Sequence, residues 1–199
     1  KARTDDVLVA FGMNGGPIHP HNGAPLRLVV PGWPGSCSQK WLTRISLREI
    51  VHDGPKMTGT SYRVPKRPVA PGESLPEGDF AIIERMPVKS LITHPASGAR
   101  TRERSAEVRG HAWSGDRWVA RVEVSIDFGA SWRAAELDDP VNPGAWQNWR
   151  ARFALPSAGY YEIWARATDD QGQSQPHALA WNPRGHLNNS LHRVALRAV

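Results

Sequence analysis

The feature that most limits this chain is the near absence of helical periodicity across its 199 residues. Apolar residues recur instead in short or alternating runs, each closed by Gly, Pro, Asn or Asp. An alternation of period two puts every second side chain on one face of an extended strand, so such runs fold as half-buried strands. The 18 Gly and 17 Pro punctuate these runs throughout, and proline cannot donate to a ladder. The chain is therefore expected to be mainly β.

Along the sequence, Leu26–Pro31 reads as a buried strand, Gly32, Pro34 and Gly35 as a turn, and Lys40–Leu47 as a second strand. Between Met57 and Gly78, Pro65, Pro68, Pro71 and Pro76 block regular pairing and predict an extended, irregular connection. A domain boundary is expected after it, giving domains at 1–90 and 91–199. From Thr93 onward the strand spacing is that of a β-sandwich. The expected strands are Glu107–Ala112, Trp118–Asp127, Trp132–Leu137, Trp149–Leu155, Tyr161–Thr168 and His192–Val199, with Gly129 turning the second into the third as a hairpin. The run Asp169-Asp170-Gln171-Gly172 has turn chemistry. It lacks the oxygen-ligand spacing of a calcium loop.

Composition removes several function classes. Cys37 is the single cysteine, which excludes an internal disulfide and any Cys-rich zinc module. No apolar run approaches the length needed to cross a bilayer, and the charged Lys1–Asp6 has no signal-peptide core, so no membrane role is expected. Because Lys1 runs almost directly into the strand-like Val7–Phe11 without an initiating Met, the N-terminus is read as a cut end. The net charge of +6 raises the possibility of nucleic acid. The arginines are scattered, however, and Arg100–Arg104 carries Glu103 in its middle and no stacking aromatics, so no nucleic-acid partner is expected. The basic surplus instead suits a small anion or an acidic redox partner.

Three clusters carry possible chemistry. His19, His21 and Asn22 precede Gly23, Pro25 and Arg27; the histidines lack a third metal ligand and read as solvated loop residues, whereas Arg27 interrupts an apolar strand with a group made for oxyanions. Gly35–Trp41, with Ser38, Gln39 and Lys40, is either a plain turn or a phosphate-cradling loop. Trp181–Ser190, with Arg184 and the pair Asn188-Asn189, is either a buried polar network or an anion site. No metal ligand is assigned, Cys37 included.

At these clusters the sequence resembles the sulfite oxidase family of molybdenum oxidoreductases. The matching motifs are Asn14-Gly15-Gly16-Pro17, Gly23–Gly32, Lys40-Trp41-Leu42 and Met86–Thr93, followed by Gly110–Gly115, Val122–Ser125, Trp181–Gly185 and Asn188-Asn189. The resemblance covers essentially the whole chain. It implies the C-terminal fragment of a mixed α/β molybdopterin-binding domain followed by an immunoglobulin-like β-sandwich that pairs two subunits.

The resemblance also implies chemistry, namely oxidation of sulfite to sulfate at molybdenum held by a pyranopterin and a cysteine thiolate, with electrons passed to cytochrome c or a haem subunit. Arg27 with Ser38, Gln39 and Lys40 would hold the terminal phosphate of molybdopterin, and Arg184 would face the small sulfur oxyanion. Nitrate-reducing relatives are expected to lack an arginine at that point. Asn22 stands where animal and plant members usually have a histidine, with His21 one residue earlier, and either would make that contact; Leu191 replaces a usual tryptophan. The family's cysteine ligand, active-site tyrosine and other substrate arginines precede this stretch, so the chain alone is expected to be inactive. Bacterial family members imply a periplasmic location. Alternatives are a purely structural dimerisation module, a sulfane dehydrogenase subunit or a sulfoxide reductase on the same fold.

Overall fold

A computed structural model of the chain describes residues 6–51, 53–54, 57–142 and 144–199, so that of the charged leader only Asp6 lies among the described residues. These contain strands and short 3-10 turns and no α-helix, and no helix long and apolar enough to cross a membrane. The chain forms two compact units, Lys1–Met86 with Ala180–His186 and Pro87–Leu179 with Leu187–Val199.

The first unit is built from short ribbons. β1 (Leu8–Ala10) pairs antiparallel with β4 (Arg27–Val29), β2 (Gly12–Met13) with β3 (Gly16–Pro17), and β5 (Arg63–Pro65) with β6 (Phe80–Ile82). The strand expected at Leu26–Pro31 is present as β4. The one expected at Lys40–Leu47 is not: its backbone meets the preceding segment through Trp41 N–H to Gly23 O and Leu42 N–H to Leu26 O, with Leu28 N–H to Gln39 O just before it, and forms no ladder. Trp41 sits at φ 52°. A left-handed residue breaks the pleat, so the segment cannot continue as a ladder. Ile18, Val30 and Ile83 are the buried hydrophobic side chains of this unit among the described residues.

The second unit is a two-sheet sandwich. Its strands are β7 (Lys89–His94), β8 (Ala99–Thr101), β9 (Ser105–Trp113), β10 (Val119–Ser125), β11 (Arg133–Ala134), β12 (Glu136–Leu137), β13 (Gln147–Ala154), β14 (Gly159–Asp169) and β15 (His192–Ala198). One sheet runs β11-β10-β14-β15-β8 and the other β12-β13-β9-β7. β9 shows why these residues form strands: Ala106, Val108, Gly110 and Ala112 are buried while Glu107 and Arg109 point outward. The inward residues of both sheets meet in one core containing Val108, Val122, Val124, Trp149, Phe153, Ile163 and Leu196. Burying each large member contributes about 1.5–3 kcal/mol.

The expected hairpin through Gly129 is real but short, because β11 pairs with β10 and the continuing β12 pairs with β13 in the opposite sheet. What reads as one strand thus switches sheets at Ala135. At the start of β14 the Tyr161 hydroxyl donates to Ser157 O (2.9 Å) and accepts from Ser157 N–H (3.2 Å), the tyrosine corner of immunoglobulin-like sandwiches. The Asp169 carboxylate accepts from Gln171 and Gln173 N–H, which makes Asp169–Gln173 the turn its sequence predicts.

Candidate functional site

The first cluster is assembled by local backbone geometry in the first unit. His19 caps a single 3-10 turn, Pro20–Asn22, and Gly23 ends it at φ 110°. Only glycine serves there, since a Cβ would also lie 2.9 Å from Lys40 Cβ. That close approach brings the 38–42 segment alongside β4. Ser38 Oγ accepts from Val30 N–H (3.0 Å), Gln39 O from Leu28 N–H (2.8 Å), and Lys40 Nζ donates to His21 O (2.8 Å). Arg27 Nη1 donates to Asn22 O (3.1 Å). The structure therefore brings His21, Asn22, Arg27, Ser38, Gln39 and Lys40 together, with His21 and Asn22 contributing backbone carbonyls to the cluster.

Among the described residues Arg27 Nε, like Trp149 Nε1 in the second unit, is buried without a hydrogen-bond partner. Leaving a buried donor unsatisfied costs about 1–3 kcal/mol, more for a charged group. Lys40 keeps ammonium protons to spare beyond its one bond to His21, since the group carries three donors. A half-buried guanidinium with an idle N–H beside a spare ammonium fits a phosphate-bearing ligand.

Leu28 and Gln39 also line a cavity of about 820 Å3 within the same unit, together with Cys37, Leu42, Arg44 and Arg63. Its size is that of a small-molecule or cofactor pocket. Burial raises the Cys37 thiol above its ordinary pKa, which keeps it protonated and unlike a reactive or metal-binding thiolate.

Arg184 lies on the loop that the first unit receives from 180–186. Asn182 closes this loop into a turn, its Oδ1 accepting from Arg184 N–H and its Nδ2 donating to His186 O, each at 3.0 Å. The exposed guanidinium donates through Nη2 to Thr60 Oγ1 (2.7 Å), and the His186 ring stacks on Tyr62 with centroids 5.7 Å apart. Arg184 shares none of these bonds with the Arg27 cluster.

The third cluster divides into two halves. Residues 182–186 form the exposed turn, whereas Asn188–Ser190 belong to a polar network in the second unit. There Lys89 Nζ donates to Asn188 O (2.6 Å) and the buried Gln175 Nε2 donates to Asn189 O and Ser190 O. His192 Nδ1 accepts from Ile92 N–H (2.9 Å), and desolvation and Lys89 hold its pKa below the usual imidazole value. Thr60, Tyr62 and Gln175 were not singled out from sequence. Each acts across a long sequence separation, and a lone Thr, Tyr or Gln carries no local signal.

Residues 80–199 match the Mo-co oxidoreductase dimerisation domain family and residues 1–56 the oxidoreductase molybdopterin binding domain family. Mitochondrial sulfite oxidase of Homo sapiens is 37% identical over 202 residues, covering 95% of this chain and 36% of that protein. Nitrate reductase [NADH] 2 of Phaseolus vulgaris is 33% identical, covering 95% of this chain and 23% of that protein. The solved sulfane dehydrogenase SoxCD of Paracoccus pantotrophus superposes with a TM-score of 0.79 at 27% identity, covering 95% of this chain and 48% of that one. The chain thus spans half or less of the length of these relatives. The shared fold, the paired domain matches and the sequence identity agree: this chain belongs to the sulfite oxidase family of molybdopterin oxidoreductases, of which it carries the dimerisation domain.

Proposed function

We propose that the chain forms part of a molybdenum-cofactor enzyme that oxidises sulfite to sulfate and passes the electrons to a cytochrome-type acceptor. The observation that carries this reading is the buried, unpartnered Nε of Arg27 inside a donor-rich cluster. Arg27, with Ser38, Gln39 and Lys40, holds the terminal phosphate of molybdopterin, and His21 and Asn22 belong to the same cluster through the carbonyls that accept from Lys40 and Arg27. When bound, the cofactor supplies the oxygen-atom transfer, while the protein orients it and sets its electrostatics. Arg184, exposed and with donors beyond the one used by Thr60, offsets the charge of the oxyanion.

The second unit pairs two copies of the protein, in keeping with the dimerisation family it matches. The functional division is 1–90 for cofactor and 91–199 for pairing, except that the 180–186 loop carrying Arg184 belongs with the first unit, and the working location is the periplasm. A second reading, in which a sulfane sulfur is the substrate, is favoured by the superposition on sulfane dehydrogenase.

Steady-state assay of the holoprotein with sulfite, a protein-bound sulfane and sulfoxides tests the choice: sulfite turnover is expected, and turnover of another substrate alone overturns it. Arg184→Met is expected to raise the Michaelis constant for sulfite at least tenfold, about the 1.5–3 kcal/mol of a charge-assisted hydrogen bond, with molybdenum content intact. An unchanged constant removes Arg184 from the site.

A further inference from the structure

We propose that Thr60 is a positioning residue for Arg184, the end of a brace built into the 57–63 segment of the first unit. The proposal rests on the substrate role given to Arg184 above. Arg184 lies 124 residues from Thr60 in sequence, and its Nη2 donates to the Thr60 hydroxyl at 2.7 Å. A flexible, exposed arginine would otherwise sample many rotamers; a fixed acceptor on one edge of the guanidinium selects among them and leaves the opposite edge for an anion.

The brace itself is held in place. Arg63 Nη1 donates to the carbonyls of Met57 (3.1 Å), Gly59 (2.6 Å) and Ser61 (3.2 Å), gathering the loop that carries Thr60 around one guanidinium group. Gly59 at φ 65° and Tyr62 at φ 50° both lie in the left-handed region. For a bulky residue such as Tyr62 that conformation is costly and persists only where surrounding contacts fix it. Its ring stacks on His186, two residues beyond Arg184. The 57–63 segment therefore meets the Arg184 turn twice, through a hydroxyl at the guanidinium and through a ring at the end of the turn. Asn182 locks the turn between those points. Positioning of this kind matters because a displacement of about 1 Å at a charged group facing substrate can cost up to a hundredfold in rate.

The test uses the holoprotein. Thr60→Val removes the acceptor while keeping shape, and it is expected to raise the Michaelis constant for sulfite about three- to tenfold, with kcat and molybdenum content unchanged. Thr60→Ser should restore the wild-type constant. Calorimetric titration of the oxidised protein with sulfate should show a matching loss of affinity, a readout independent of turnover. Tyr62→Leu, which removes the stack on His186, gives a second route and decides the matter if Thr60→Val fails to fold.

The proposal is overturned if Thr60→Val and Thr60→Ser behave alike, or if a folded Thr60→Val or Tyr62→Leu binds sulfite and sulfate as the wild type does. Arg184→Met run in parallel separates the two levels. If that variant loses affinity and Thr60→Val does not, only the brace fails. If neither does, the role of Arg184 falls first.

Discussion

The two units solve the burial problem in opposite ways. In the second, alternating strands close two sheets over a continuous core. In the first, the sheets have only two strands each, and Phe11 and Leu47 remain 78% and 80% exposed. Isolated two-stranded ribbons are marginal in water, whereas a sandwich with a shared core is not. The contrast is one of core size: the second unit closes a continuous apolar core, while the first buries Ile18, Val30 and Ile83 among its described residues and leaves its cluster of donors around Arg27 on thin ribbons.

The sharpest way to break this contrast is Gly110→Ala. A Cβ there would lie 2.0 Å from Leu91 O and 2.3 Å from the Trp149 ring. Backbone and a fully buried indole cannot yield, so the substitution is expected to cost more than about 3 kcal/mol and abolish cooperative thermal unfolding. Gly35→Ala, with nothing within 4 Å, should be nearly neutral in the same melt. If both glycines tolerate alanine equally, the packing account fails.

Next in size, Arg27→Ala should strip molybdopterin from the holoprotein, lowering bound pterin and molybdenum about ten- to a hundredfold. The melting of the second unit should stay unchanged. A fully metallated variant would show that the idle Nε of Arg27 serves no cofactor.

A smaller effect is expected from acid. His192 has a folded pKa depressed below its ordinary value, because burial and Lys89 disfavour the imidazolium and Nδ1 must stay free to accept from Ile92. The neutral form is thus favoured by folding. Its contribution is fully present above the unfolded-state value of about 6.5 and is lost as pH falls through that value toward the folded one. Urea midpoints at pH 7.5 and 5.5 should differ more for the wild type than for His192→Asn, and equal differences would refute the assignment. Smallest is Tyr161→Phe, which removes the corner hydrogen bond to Ser157 and should cost about 1 kcal/mol by denaturant unfolding.

How much could be read from sequence follows the same division. The strands of the second unit were legible because one face is buried, which forces a period of two along β9 and β13; in β10 a bulge between Val119 and Arg121 shifts the alternation, so that Val119 is buried with Val122 and Val124. The sheet switch at Ala135 was not, because it depends on which distant edges are open to β11 and β12. In the first unit the 40–47 run, read as a strand, fails as one, since nothing in its sequence signals the left-handed Trp41. Arg27 was legible as a charge in an apolar run. Thr60 and Gln175 were not, because their meaning lies entirely in partners: Gln175 Oε1 accepts from Ser90 and Ala167 while its Nε2 serves Asn189 and Ser190.

The parallel pairing of β15 with β8 reaches beyond the finished fold to its synthesis. Ala99 leaves the ribosome long before its register partner Leu196 exists, and β15 must enter between β8 and β14. Until it does, a nascent sandwich carries a gap in its larger sheet and two unpaired strand edges, the condition that invites capture by other chains. Assembly of this half of the molecule is therefore late and cooperative, and a chaperone has most to protect in the interval before residues 192–198 are made.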